Sequence, residues 1–336
     1  MRAIVQDRYG SPDGLRLRDI EQPAVGDDEV LVRVRAASVH PDVWHVVTGR
    51  PFVLRLMGSG VRRPKNPVPG TDLAGVVEAV GKDVTRFRPG DEVFGESMRT
   101  FSWRNGGAFA EYASVPEEGL ELKPAGVTFE QAAAVPTTGY ITLLNVPTAL
   151  LRPDRRVLVN GAGGGVGACA VQLAKAHGAH VTGVDHTRKL DLVRSLGADE
   201  VVDYTEQDFT RDSQRYHLIV DIPGNHSFAE CRRVLTPDGV YVLIGHDHFG
   251  RVGRRWLGSL PRFGGLTVRA LFDRHLRRGG PSRLSKHDAM ATLRTHLEAG
   301  QLIPVIDRTY RLDEAGEAIR YLADGEPIGR VVLVNR

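Results

Sequence analysis

The residues with the most specific chemistry lie between positions 156 and 168, where five glycines follow a short apolar run. Residues 157–159 predict a buried strand, and residues 166–176 predict a helix of small and apolar side chains. Glycines in the turn between them permit positive φ angles and let a pyrophosphate approach the free N–H groups of the helix. The spacing is Ala162-x-Gly164-x-x-Gly167, with alanine where the usual dinucleotide pattern has its first glycine. The candidate cofactor contacts in the turn are Ala162, Gly163, Gly164, Gly165, Val166 and Gly167.

The end of the next predicted strand, residues 180–184, bears on the choice between the two nicotinamide cofactors. Asp185 follows it about twenty residues after the turn, where an acidic side chain binds the adenosine ribose of NAD(H). A carboxylate there would repel the 2′-phosphate of NADP(H). However, His186, Arg188 and Lys189 follow directly and could hold that phosphate. The sequence therefore predicts NADP(H) or NAD(H), with Asp185, Arg188 and Lys189 as contacts, and leaves the preference open.

Length and composition restrict the class of protein that carries this turn. At 336 residues the chain can form two domains with full cores. The net charge of +3 does not indicate nucleic-acid binding, and no apolar run approaches the about 18 residues of a membrane span. The first residues contain no signal-peptide stretch, and the two cysteines, Cys169 and Cys231, fall in predicted helices. We therefore expect a cytoplasmic protein with a small-molecule substrate and with neither a nucleic-acid nor a membrane partner.

The predicted secondary structure around the turn differs between three parts of the chain. Residues 1–125 contain short alternating strands that predict a compact, barrel-type β domain. Residues 126–284 alternate strands and helices, which predicts a doubly wound parallel sheet, with a candidate sixth strand at 266–271. The tail, from about 285 to 336, combines helical periodicity with a closing strand at 330–335. We expect this tail to pack back on the N-terminal domain of an α/β protein.

The segment between positions 250 and 283 is strongly basic, with nine arginines against one acidic residue, Asp273. Three interpretations of this segment remain open. The first is a solvated basic loop, and the second is a segment that attracts an anionic substrate or cofactor tail. The third is a surface that contacts a partner or an acidic surface.

Taken together, these residues resemble the medium-chain dehydrogenase/reductase superfamily and, within it, the zinc-independent quinone oxidoreductase-like branch. The resemblance covers essentially the whole chain and implies a GroES-like domain, a Rossmann domain, an active site in the cleft between them and a homodimer. Besides the glycine turn, the motifs are Gly70-Thr-Asp-Leu-Ala-Gly-Val-Val77, Arg88-Pro-Gly-Asp-Glu-Val-Phe94, Gly107-Ala-Phe-Ala-Glu-Tyr112, Pro136-Thr-Thr-Gly-Tyr140, Ser195-Leu-Gly-Ala-Asp199 and Gly329-Arg-Val-Val-Leu333.

The resemblance also predicts that the chain uses no metal. Zinc-dependent relatives hold a catalytic zinc with a Cys, a His and a further Cys or Asp, whereas the matching positions here are His40, Thr71 and Ala134. Without zinc, the implied reaction is hydride transfer from the reduced nicotinamide to a quinone or an α,β-unsaturated carbonyl. The alternatives are a metal-free alcohol dehydrogenase, an enoyl-thioester reductase, and a cofactor-binding sensor or structural protein without turnover.

The resemblance further suggests which residues complete the site. The stretch from His40 to His45 supplies candidate proton donors, because histidine exchanges protons near neutral pH. Asp42 is a candidate for orienting this loop or for acting in the chemistry, and Thr138 resembles a threonine beside the nicotinamide. Further cofactor contacts are implied at Asn225 and Gly245, which follow predicted strands.

Overall fold

The computed structural model describes residues 1–99, 103–246, 256–277 and 284–335. Of the basic segment, positions 250–255 and 278–283 therefore lie outside the described residues. No helix in the described ranges is long and apolar enough to cross a membrane.

The N-terminal part is built from antiparallel strands, as its alternating pattern predicts. Strand β3 is the longest and pairs with both β4 and β6, while β1 and β2 form a separate two-stranded sheet. The elements are β1 (Arg2–Val5), β2 (Arg16–Asp19), β3 (Glu29–Val39), α1 (Pro41–Thr48), β4 (Asp72–Val80), β5 (Glu92–Glu96), β6 (Tyr112–Pro116) and β7 (Leu120–Leu122).

One predicted strand in this part begins later than expected. The sequence predicts a strand from Ala108, but β6 begins at Tyr112. The preceding residues bond to a loop, because the N–H group of Phe109 donates to the carbonyl oxygen of Pro69 at 2.9 Å. Ala110 forms only an isolated bridge with Ala3, so these residues add no continuous ladder.

The middle of the chain alternates helices and strands and forms a parallel sheet in the order β10-β9-β8-β11-β12. This order is that of a doubly wound Rossmann sheet, so the predicted fold class is confirmed. The elements are α2 (Phe129–Ala133), α3 (Pro136–Asn145), β8 (Arg156–Asn160), α4 (Gly165–Ala176), β9 (His180–Asp185), α5 (Leu190–Ser195), β10 (Glu200–Asp203), β11 (Tyr216–Asp221), α6 (Phe228–Arg233), β12 (Leu235–Leu243), α7 (Leu260–Ala270) and α8 (Arg274–Arg277).

The candidate sixth strand at 266–271 is wrong, because this stretch belongs mainly to α7. Residues 266–270 alternate in polarity and so imitate a strand. Over the longer stretch, however, Leu260, Phe263 and Leu266 recur at helical spacing, and Pro261 occupies a favourable position in the first turn. Helix α8 packs on β12.

The tail returns to the N-terminal sheet, as its closing strand predicts. It contains α9 (Lys286–Glu298), β13 (Ile306–Arg311), α10 (Ala315–Ala323) and β14 (Arg330–Val334). Strand β14 pairs antiparallel with β3 and parallel with β13. One apolar core runs from Ala74 and Val332 of this sheet to Val159 and Leu218 of the Rossmann sheet, which fixes the two sheets against each other.

Candidate functional site

The glycine turn lies between β8 and α4 and is held against β9. Gly161 has a φ angle of +83°, and its N–H group donates to the carbonyl oxygen of Val184 at 2.9 Å. A Cβ on Gly167 would lie 2.0 Å from the carbonyl oxygen of Gly161, so glycine is required where α4 crosses the strand. Ala162 is fully buried, and its N–H group also donates to Val184. Ala162 therefore shapes the turn from below rather than facing a ligand.

The other residues of the turn form the start of α4. The N–H group of Gly164 donates to the carbonyl oxygen of Gly161 at 3.1 Å, and the helix begins at Gly165. Gly165 and Val166 lie in the first helical turn, where N–H groups have no acceptor within the helix. These groups and the helix dipole favour an anion at this position, as the spacing predicts.

A cavity of about 430 Å³ lies beside the turn and opens to solvent. Its walls come from α3, the glycine turn, α4, the end of α5, residues 302–305 and the start of β14. Among the lining residues are Thr138, Gly163, Gly164, Gly165 and Arg330. The elements of the Rossmann sheet and of the tail thus enclose one space next to the predicted anion site.

Arg330 is the charged group of this cavity that the sequence analysis did not single out. Its side chain is only 9% exposed, and Nη2 donates to Oγ of Ser38 at 2.9 Å. Its Nε is buried without a hydrogen-bond partner, and the guanidinium forms no ion pair among the described residues. A Cβ on Gly165 would lie 2.0 Å from Nη1, so the glycine makes room for this arginine. Burial lowers the pKa of Arg330, and an anionic ligand would offset that cost.

Arg330 and the first turn of α4 together show which ligand chemistry the cavity favours. A buried guanidinium with an unused donor faces the N-terminal turn of α4, where glycines keep the backbone accessible. Both groups favour the same ligand chemistry, a pyrophosphate. The residues present therefore fit the cofactor that the motif predicts.

Asp185 stabilises the turn as well as marking the end of β9. Its Oδ2 accepts the N–H group of Gly163 at 2.7 Å, and its Oδ1 accepts the N–H group of His186 at 2.8 Å. Both carboxylate oxygens are thus engaged by backbone donors, which disperses the negative charge that would repel a 2′-phosphate.

The two cations after Asp185 take different positions. Arg188 pairs with Glu326 at 2.9 Å and also donates to the carbonyl oxygen of Gly325, so it lies against the loop before β14. Lys189 lies over the turn, because a Cβ on Gly163 would be 3.0 Å from its Cβ and Cδ atoms. The structure therefore brings Lys189, but not Arg188, to the glycine turn.

Asn225 and Gly245 lie beyond the carboxyl ends of β11 and β12, at the same sheet edge as the turn. Oδ1 of Asn225 accepts a hydrogen bond from Nδ2 of Asn160 at 2.9 Å, and Asn160 also donates to Asp221 at 2.9 Å. A Cβ on Gly245 would lie 2.8 Å from the carbonyl oxygen of Ile222. Their predicted contacts with the cofactor stay predictions.

A second cavity, of about 330 Å³, lies next to His40. His40 precedes α1 and is 2% exposed, and its Nε2 lies 3.0 Å from Oγ1 of Thr71. Thr71 donates its single hydroxyl proton to Oδ1 of Asp72 at 3.2 Å, so its oxygen accepts from Nε2 of His40. Asp72 is fixed in turn by the N–H and hydroxyl groups of Thr137, at 3.0 and 2.5 Å. The chain of donors assigns a proton to Nε2 of His40.

Two further carboxyl groups line this cavity. Oδ2 of Asp42 lies 3.8 Å from Nδ1 of His40, and burial raises the pKa of Asp42, an effect that His40 partly offsets. Glu96 forms a buried ion pair with Lys286 of α9, with Nζ and Oε2 separated by 2.9 Å. Burial likewise raises the pKa of Glu96, against the effect of Lys286.

The other two predicted catalytic residues are engaged elsewhere. Nδ1 of His45 lies 2.7 Å from the carbonyl oxygen of Arg50, and burial lowers the pKa of His45 to about 4. His45 is therefore neutral at pH 7, and it is not among the residues that line the His40 cavity. Thr138 lines the cofactor cavity, but its hydroxyl bonds the carbonyl oxygens of Ala134 and Val135 at 3.2 and 3.1 Å. Its oxygen remains available only as an acceptor.

In the described part of the chain, no group of three His, Cys, Asp or Glu side chains is arranged to hold a metal ion. The carboxylates nearest His40 bond to threonine, histidine or lysine instead.

Sequence reasoning missed Arg330, Asp72, Glu96 and Lys286. Arg330 and Asp72 both lie within motifs that carry the resemblance, so the signal was a charged residue inside a family motif. Glu96 and Lys286 had no local signal, because 189 positions separate them.

Comparisons with known proteins agree with this geometry. The family model described as alcohol dehydrogenase GroES-like domain matches residues 26–125, and the one described as zinc-binding dehydrogenase matches residues 196–333. The chain belongs to the medium-chain dehydrogenase/reductase superfamily and to its quinone oxidoreductase-like branch.

Three relatives illustrate this membership. A chloroplastic quinone oxidoreductase of Triphysaria versicolor is 37% identical, over 99% of this chain and 98% of the relative. A chloroplastic NADPH-dependent alkenal/one oxidoreductase of Arabidopsis thaliana is 31% identical, over 99% of this chain and 79% of the relative. The solved quinone oxidoreductase of Coxiella burnetii superposes with a TM-score of 0.83 at 26% identity, covering 100% of this chain and 99% of that chain.

Proposed function

We propose that this protein is an NAD(P)H-dependent oxidoreductase that reduces quinones or α,β-unsaturated carbonyl compounds. The observation that carries the proposal is the buried, incompletely bonded Arg330, which faces the glycine turn across a cavity next to the predicted anion site. The names of the Triphysaria and Arabidopsis relatives support this substrate class.

The protein's part in cofactor binding follows from the two charged walls of the cavity. The first turn of α4 and Arg330 would hold the pyrophosphate, and Asp185 would keep Gly163 in place. When bound, the reduced nicotinamide supplies the hydride that the substrate accepts.

His40 and Thr71 would supply the proton that completes the reduction. The anionic oxygen left after hydride addition takes the hydroxyl proton of Thr71, and the Nε2–H bond of His40 breaks to restore the threonine hydroxyl while Nδ1 of His40 gains a proton, so that no imidazolate forms. Burial raises the pKa of Asp42, which favours the protonated carboxyl group. This group faces Nδ1 of His40 and can return a proton to the imidazole. The sum is one hydride and one proton added to the substrate.

We further propose NADPH as the preferred cofactor. Lys189 lies over the turn, while the carboxylate of Asp185 is occupied by two backbone N–H groups. A fluorescence titration should give at least about tenfold tighter binding of NADPH than of NADH, or about 1.4 kcal/mol. Equal affinities, or a preference for NADH, would contradict this assignment and indicate that Asp185 binds the ribose.

We also propose that the reaction needs no zinc, because the residues around His40 do not form a metal-binding group among those described. Prolonged dialysis against EDTA should leave kcat/KM unchanged. A complete loss of activity that only zinc restores would contradict the proposal. The cytoplasmic location and the homodimer expected from the resemblance stay predictions.

The decisive experiment follows NADPH oxidation at 340 nm, without oxygen, with a panel of quinones, enones and saturated ketones. We expect turnover with quinones or enones and none with saturated ketones. Tight NADPH binding without turnover across the panel would instead indicate a cofactor-binding protein that is not an enzyme.

A further inference from the structure

The exposed apolar side chains of this protein are concentrated in one region. Thirteen large apolar residues are exposed in the described ranges, and nine of them lie within 56–61 and 256–272. We call these nine residues the apolar patch: Leu56, Met57, Val61, Trp256, Leu257, Leu260, Val268, Leu271 and Phe272. An apolar surface of this extent on a folded protein marks a site of interaction.

The segment that starts at Trp256 packs next to residues 51–53, which shortly precede the segment 56–61. The N–H group of Val53 donates to the carbonyl oxygen of Trp256 at 3.1 Å, and the rings of Phe52 and Trp256 lie 5.2 Å apart. A Cβ on Gly258 would lie 2.7 Å from Cγ of Pro51. The segment before α7 therefore packs directly on the loop after α1.

Helix α7 has no buried residue, although most of its side chains are apolar. Val268 is 61% exposed, and Phe272, just beyond its end, is 85% exposed. A helix with apolar side chains on its outward face is stabilised when another apolar surface covers that face. Exposure of such a face to water is unfavourable.

The surroundings of the apolar patch are strongly cationic. Residues 50–66 contain five lysines or arginines and no acid, and residues 256–277 contain four arginines and Asp273 alone. Asp273 is paired with Arg232 at 3.3 Å. These two stretches carry a net charge of +8, whereas the rest of the chain carries −5. The partner of this surface must therefore be both apolar and anionic.

The apolar patch also lies near the His40 cavity. A Cβ on Gly58 would lie 2.5 Å from a guanidinium nitrogen of Arg104, and Arg104 lines that cavity. A surface that binds at the patch would therefore lie close to the cavity where we place the substrate.

We propose that the apolar patch docks on the surface of an anionic lipid bilayer, with the entrance of the His40 cavity facing the lipid. Tryptophan, leucine and phenylalanine flanked by arginine suit the interface between acyl chains and head groups. A second copy of the chain fits less well, because it would bring a second charge of +8 against the first. The proposal departs from the sequence-based expectation of no membrane partner, and it does not depend on the identity of the reaction.

The test is sedimentation of the full-length protein with vesicles of phosphatidylcholine alone, or of phosphatidylcholine mixed with phosphatidylglycerol. We expect binding to the anionic vesicles only, and its loss at high salt. Brominated lipid should quench the fluorescence of Trp256, which is 74% exposed, whereas Trp44 is 5% exposed. The variant Trp256→Phe should keep the binding and lose that quenching.

Matched variants separate charge from apolar contact. Arg62→Gln/Arg63→Gln should lower the partition coefficient about 25-fold, since each basic residue contributes about fivefold near an anionic surface. Arg88→Gln/Arg211→Gln changes the net charge equally on exposed side chains elsewhere and should have no effect. Leu271→Ser/Phe272→Ser should weaken binding at least about tenfold.

Three results would overturn the proposal. The first is no binding to either vesicle, and the second is equal binding to both. The third is a protein that does not bind vesicles but forms a dimer in sedimentation velocity, with Leu271→Ser/Phe272→Ser dissociating that dimer. A second copy of the chain would then cover the apolar patch.

Discussion

Replacing Arg330 with methionine should weaken nucleotide binding without weakening the fold. Methionine keeps the length and the apolar stem of the side chain but removes the charge and the buried donor Nε. Hydrogen bonds to charged groups contribute about 1.5–3 kcal/mol each, so the loss of one contact with the pyrophosphate raises Kd about 10- to 150-fold.

The stability of the ligand-free protein should respond in the opposite sense. The variant loses the hydrogen bond between Arg330 and Ser38, which contributes about 1 kcal/mol. It also removes a buried cation whose desolvation lowers its pKa, a cost that the nearby Asp72 and Asp42 offset only in part. We therefore expect Tm without nucleotide to stay the same or to rise.

The assay combines fluorescence titration with thermal unfolding, each with and without NADPH. Arg86→Met is the matched control, because Arg86 pairs with the buried Glu121 at 2.8 Å and lies outside the cofactor cavity. That control should lower Tm and leave Kd unchanged. If Arg330→Met gives the same pattern as the control, Arg330 is structural and our interpretation of the cavity is refuted.

Three other predictions follow from the same contacts. Lys189→Met should weaken NADPH binding about tenfold and leave NADH unaffected, whereas Arg188→Met should change neither affinity; equal losses for both nucleotides would argue against a phosphate contact. His40→Gln should lower kcat about 100-fold or more, while His45→Gln should leave the pH profile of kcat unchanged because His45 is already neutral; stopped-flow turnover between pH 5 and pH 9 separates the two. Burial raises the pKa of Glu96 from 4.5 to about 7, so the folded state holds the proton more tightly and the free energy of unfolding should fall as pH rises through this window; urea titrations of Glu96→Gln should lose that slope, and an unchanged slope would show that another group causes it.

The glycine turn and the parallel sheet could be predicted from the sequence because their signals are local. The turn needs small residues within a few positions, and each buried strand is an apolar run bounded by turn residues. A local pattern also predicted a strand at 266–271, and this prediction is wrong because the short alternation of polarity occurs within a longer helical pattern. Only the context beyond six residues separates the two.

Side-chain partners from distant parts of the chain could not be predicted in this way. Arg188 lies where a phosphate ligand is expected, yet Glu326, 138 positions later, occupies it. Likewise, Lys286 reaches Glu96 only because the tail packs back across the N-terminal sheet. In both cases the tertiary fold decides what the charged side chain binds.

The register between β14 and β3 connects the two halves of the site. Val331 pairs with Val39, so Arg330, which begins β14, lies next to the point where His40 follows the end of β3. A single antiparallel pairing therefore places the arginine that faces the glycine turn and the histidine that lines the second cavity at fixed positions relative to each other. Because side chains alternate along a strand, a shift of one residue would turn Arg330 away from Gly165 and the cofactor cavity. The tail strand is thus part of the site itself, since without its register the pyrophosphate-binding and proton-donating groups would lose their relative position.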